Sequence, residues 1–185
     1  MNQDRLSQRI VVDRAIGLIE VRGGDRLTMR ELGAELGVEA MALYRYVSNK
    51  ADLLDLVTAT VIAEMDHLSH DQSQTWPDLL RHTTRQVQTL TADHPQVFIL
   101  MATRPTVTPG LRPPLTNHRW ATTFLHRLRS HGLDDSAAVT LYRALAALLL
   151  GNLLPQALTT ALQPSPGATH DQTSTNNQGS ADQLT

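Results

Sequence analysis

Arg30, Tyr44, Arg45, Tyr46 and Lys50 fall close together in the chain, with Ala40, Met41 and Ala42 interleaved among them. A guanidinium can read a base edge through paired hydrogen bonds, or hold a phosphate. Tyrosine hydroxyls and a lysine ammonium donate to phosphate oxygens. Alanines let a backbone approach base edges, and alanine or methionine can touch a thymine methyl. This mixture suits contact with a DNA duplex, some groups positioning and others reading.

The elements that must carry these groups are legible nearby. Thr28 and Glu31 form a Thr-x-x-Glu capping box, and Leu27 with Leu32 can staple the helix start. A helix therefore begins at Thr28, runs through Arg30, Leu32 and Leu36, and ends at Gly37. Val38 plugs the corner, and a second helix spans roughly Glu39 to Val47 with Leu43 and Val47 inward. Gly33 is small where the two helices cross. Ser48 and Asn49 cap the next helix, placing Lys50 where a phosphate oxygen and a helix N-terminus meet. An ordinary helical hairpin needs the same cap, glycine and apolar stripes. The aromatic and basic outer face is what favours DNA.

Other chemistries find little support. The 185-residue chain has no cysteine, which removes disulfides, thiolate zinc sites and thiol catalysis. It carries no glycine-rich phosphate loop, no G-x-S-x-G and no cofactor box, so neither an enzyme nor a cofactor is expected. His67 and His70 are three apart, but no H-E-x-x-H pattern accompanies the histidines, and no metal is expected. The net charge is −2, yet Arg5, Arg9, Arg22, Arg26, Arg30, Arg45 and Lys50 gather in the first fifty residues. The N-terminus lacks a signal-peptide pattern, which leads to a cytoplasmic expectation.

The segment LTMRELGAELGVEAMALYRYVSNKADLLD resembles the DNA-binding domain of TetR-family repressors. Leu27, Thr28, Arg30, Leu32, Leu36, Gly37, Val38, Leu43, Tyr44, Val47, Lys50, Leu53 and Leu54 match that family's pattern in unbroken spacing. Gly33 replaces the usual alanine, read here as a harmless shrinkage. The resemblance implies that Arg30 contacts a base edge and that Ala40, Met41 and Ala42 face the major groove. It implies that Thr28, Tyr44, Tyr46 and Lys50 hold phosphates, with Arg45 also in reach. Double-stranded DNA with a near-palindromic operator, a second copy of the chain and a small-molecule effector are the implied partners.

The implied fold is all-α: an N-terminal three-helix helix-turn-helix DNA-binding domain at 1–52, motif 28–47, then a helical effector-binding and dimerisation core at 53–163. Helix 1 runs from Leu6 to about Arg22 behind an arm, Met1 to Arg5. A fourth helix from Ala51 acts as a lever. Helices are expected over Asp78–Ala92, Gln96–Ala102, Asn117–His131 and Asp134 to about Leu154, with breaks at Pro95 and Gly132. The last apolar run is read as too short to span a membrane and as partly covered by a second subunit. The core resembles that of tetracycline repressors at Thr103-Arg104-Pro105 and, through a Leu-Gly turn at Leu150 to Leu153, in the final helix. There the resemblance places a magnesium-chelating histidine three residues before the Thr-Arg-Pro, where this chain has Leu100, so tetracycline–magnesium sensing is not expected. A mostly apolar effector is expected among His67, Phe98, Met101, Thr103, Arg104, Trp120 and Leu145. Pro155, Pro164 and Pro166 and a polar stretch at 164–185 suggest a disordered tail in place of the family's final helix.

Overall fold

A computed structural model describes residues 6–67, 75–104 and 118–162, with the backbone alone at 65–67 and 118–119. The N-terminal arm, most of the polar linker, most of the proline-rich loop and the tail lie outside the described residues. The described residues form eight helices and no strand: α1 Gln8–Arg22, α2 Met29–Glu35, α3 Ala40–Leu43, α4 Lys50–His67, α5 Trp76–Asp93, α6 Pro95–Thr103, α7 His118–Ser130 and α8 Asp135–Leu162.

The local signals act where their chemistry places them. Ser7 caps α1 by accepting from the Ile10 N–H. Thr28 and Glu31 make both halves of the capping box on α2. Thr75 caps α5, Pro95 occupies the first turn of α6, and Gly37 and Gly132 take positive φ at the turns after α2 and α7. Val11, Val12, Ala15 and Ile19 of α1 pack with Leu27, Leu32, Leu43, Val47, Leu53 and Val57. In the second half α6 lies along α8, flanked by α5 and α7, around Phe98, Leu128 and Leu145.

Two expectations need correction. The second motif helix is a single α-turn, Ala40–Leu43, rather than Glu39–Val47. Tyr44 sits at ψ −4, and the ladder tightens to Arg45 N–H on Ala42 O and Tyr46 N–H on Leu43 O. Leu43 and Val47 are both buried, and the Val47 N–H still bonds to Leu43 O. The final helix does not stop at Leu154, and Leu150 to Leu153 is not a turn: α8 runs through Pro155 to Leu162. Leu153 and Ala157, on either side of the proline, are both buried, so packing holds the helix across its missing hydrogen bond. Consequently α8, 28 residues long and with a mean hydropathy of 1.6 over its most apolar 18-residue window, is long and apolar enough to cross a membrane by length and composition, although a third of that window is buried here. At Gly33 an added Cβ would stand 2.8 Å from the Val38 carbonyl oxygen, so the motif corner as it stands fits only a glycine there without a shift.

Candidate nucleic-acid interface and effector region

The corner of the motif is set by backbone bonding. The Val38 N–H donates to Gly33 O at 2.9 Å and the Gly37 N–H to Ala34 O at 3.2 Å, closing α2 in a Schellman-type turn. This turn leads into α3, which packs against α2. Leu43 and Val47 are buried beneath it, Ala40 and Ala42 are half-buried, and Met41 is 74% exposed. Tyr44 and Arg45 point outward with it, and Arg30 is exposed on α2. Tyr46 is half-buried against the core, and its carbonyl accepts from Gln8 Nε2 at 2.9 Å.

Two of the expected phosphate-contacting groups are already engaged. Lys50 Nζ donates to the Asp25 carbonyl at 3.0 Å, tying the start of α4 to the α1–α2 turn. The Thr28 hydroxyl accepts from Glu31 N–H and donates to Glu31 Oε2, so its proton is committed to the cap. Glu31 is in turn held by Arg22, while Arg14 pairs with Glu35, clamping α1 to α2. Asn49 caps α4 by accepting from the Asp52 N–H, and Asp52 accepts from the Ser48 N–H. Arg26, exposed on the α1–α2 turn beside Asp25, is a further cation on the domain surface. Its charge was visible in the sequence, but its place beside the Lys50 anchor was not.

The expected effector residues divide. Phe98, Met101, Trp120 and Leu145 are all buried, and Trp120 stacks on Phe124 with ring centroids 5.2 Å apart. Thr103 is exposed and donates to the Ile99 carbonyl, whereas Arg104 pairs with Asp55 of α4 at 2.7 Å. The His67 side chain lies outside the described residues. A groove of about 560 Å³ opens elsewhere, beside Trp76, Leu133, Ala137, Thr140, Leu141 and Ala144. A second groove of about 420 Å³ runs between α1 and α4.

A further cluster joins α1, α4 and α6. Glu20 of α1 accepts from the Gln96 and Val97 N–H groups of α6, each at 3.1 Å. His94 places Nδ1 3.7 Å from Glu20 and Nε2 3.3 Å from Glu64 of α4. Burial pushes the Glu20 carboxyl above its ordinary range, while the two N–H groups and His94 pull it back. No local pattern announces a pairing across more than seventy residues.

Residues 11–57 match the family model described as "Bacterial regulatory proteins, tetR family". The chain is 29% identical over 130 residues to the HTH-type transcriptional repressor DrrR1 of Streptomyces coeruleorubidus, a match covering 70% of this chain and 46% of that protein. It thus spans less than half the length of this curated relative. The fold matches TetR from Acinetobacter baumannii AYE with a TM-score of 0.67 and 27% identity, covering 88% of this chain and 82% of that one. It also matches ActR of Streptomyces coelicolor in complex with actinorhodin, with a TM-score of 0.68 and 25% identity over 89% and 73% of the two chains. A capped helix, a glycine corner and this likeness agree: residues 11–57 carry the tetR-family pattern, and the chain is similar in sequence and architecture to TetR-family regulators over most of its length.

Proposed function

We propose that this chain is a DNA-binding transcriptional regulator, a repressor that works as a homodimer and is released from its operator by a small molecule. The observation that carries the reading is α3, buried on Leu43 and presenting Met41, Tyr44 and Arg45 outward beside Arg30. Each copy lays this turn in a major groove of a near-palindromic site, the two copies roughly 34–36 Å apart or a little more. Arg30, Ala40, Met41 and Ala42 meet base edges. Tyr44, Arg45 and Lys50 hold phosphates, with Tyr46 and Thr28 contributing where their packing and cap allow. The domain division stands near 52, inside the continuous helix α4, which makes α4 the lever between the parts.

The dimer reading draws on α8. Leu141, Ala144, Leu148, Gly151, Pro155, Leu158 and Leu162 repeat at alternating spacings of three and four, the seam of a helix pair. Leu148, Leu158 and Leu162 are 60, 44 and 83% exposed along it. The effector reading draws on relatives that include a complex with actinorhodin. A second reading, DNA binding without an effector, is favoured by the tight burial of Phe98, Met101, Trp120 and Leu145.

Gel shifts against the protein's own upstream DNA over a salt series test the reading. Selective binding with a steep salt slope is the expected result. Lys50→Ala should weaken all duplexes alike and lower the salt slope by about 1, whereas Arg30→Ala should relax preference at one base position. Weak, sequence-blind binding by the wild type would remove the regulator reading. Equal ligand affinity with and without operator would remove the effector step alone.

A further inference from the structure

The start of α6 is capped from another domain. Pro95 has no N–H, and the His94 N–H already serves α5 through Leu90 O. The Phe98 N–H begins the internal ladder on His94 O, which leaves the N–H groups of Gln96 and Val97 as the orphan donors. The His94 side chain makes no cap hydrogen bond. Glu20 takes both donors, one on each carboxylate oxygen.

The surroundings reinforce this contact. Leu100, at the position where the resemblance expects a histidine, lies against the buried Gly24 of the α1–α2 turn. A Cβ on Gly24 would stand 2.8 Å from Leu100 Cδ1, so the turn and α6 meet without room for a side chain. Gly24 leads to Asp25, whose carbonyl anchors Lys50, and to Leu27 before the capping box. His94 extends the contact to Glu64 on α4.

We propose that Glu20 is the residue that couples the core to the DNA-binding domain: by holding the two orphan N–H groups of α6, it passes any displacement of α6 to the motif. The inference rests on the DNA-binding reading above. Glu20 touches no base or phosphate in this scheme; it is a positioning residue. Charge-assisted bonds to two N–H groups are directional, so a shift of α6 must either drag α1 or break them. Linkage then requires DNA to be felt at the same bonds.

Amide exchange on the full chain tests this, with and without a duplex selected by the wild-type protein from random sequence. In Glu20→Ala the Gln96 and Val97 amides should exchange about tenfold faster or more, with Glu20→Gln intermediate because it keeps one acceptor oxygen. DNA should alter exchange at these two amides in the wild type and not in Glu20→Ala, although the amides of 40–47 still respond. Operator affinity should fall several-fold with an unchanged salt slope, since no phosphate contact is lost. If Glu20→Ala fails to fold, Glu20→Gln carries the comparison. Unchanged exchange at Gln96 and Val97, or a DNA response that survives the substitution, would overturn the proposal. A wild type that binds no duplex in gel shifts removes the DNA-binding reading and the coupling with it. One that binds DNA while these amides ignore it removes the coupling alone.

Discussion

At the residue scale, Gly33 and Glu20 show how much depends on what a side chain meets. Gly33 has the Val38 oxygen at 2.8 Å from where its Cβ would be, and the Ala40 nitrogen at 3.1 Å. Both are backbone atoms, which cannot rotate away. Gly33→Ala should therefore destabilise the protein by about 1–3 kcal/mol, the usual cost of overpacking, read from urea midpoints at an unchanged slope. A neutral result would mean that the corner opens freely. Glu20 makes a prediction in pH. Its folded-state pKa is raised above 4.5, chiefly by burial. The stability it contributes is therefore present below the unfolded pKa and lost as pH rises through the folded one. Glu20→Gln removes that loss, so the stability of the variant relative to wild type should improve as pH rises from about 4 to 7. Urea titrations at several pH values check this, and a pH-independent difference would refute the assignment.

At the element scale, α3 and α8 both depart from their local signals. The pattern 39–47 reads as one helix because Leu43 and Val47 share a face at i, i+4 spacing. The chain instead tightens after Leu43, directly ahead of Ser48 and Asn49, which open α4. In α8, Pro155 reads as a stop, yet the buried Leu153 and Ala157 hold the helix across it. The Thr159 hydroxyl donates to the Pro155 carbonyl and Asn152 Nδ2 to Leu148 O, further polar contacts on either side of the break. Replacing Pro155 by alanine restores a ladder hydrogen bond and should raise stability by about 1–3 kcal/mol. A lower melting temperature would show instead that the local geometry at Pro155 is required.

For the whole molecule, the exposed apolar seam of α8 and the contact of α1 with α6 divide the work. In the proposed function the seam offers a surface to a second copy, and in the proposed coupling the contact links the core of each copy to its own motif. Leu148→Lys with Leu158→Lys places two charges on the seam without entering the core, since both positions are exposed. Sedimentation should then show a shift toward monomer with helix content intact, and operator binding should weaken at least tenfold. An unchanged dimer would place the interface elsewhere.

The sequence by itself determined what is local: the capping box at Thr28, the glycine at Gly37, the buried pattern of Leu32, Leu43 and Val47, and the exposed Met41, Tyr44 and Arg45. These follow from spacing within one or two helical turns, where the physics is short-ranged. Tertiary structure alone decided the rest. It paired Arg104 with Asp55, tied Lys50 to Asp25 and carried α8 through Pro155. It also brought Glu20 to α6 across seventy-six residues, satisfying donors that the adjacent His94 side chain does not cap. Such partnerships depend on how helices pack, and packing surfaces combine residues that no local window contains.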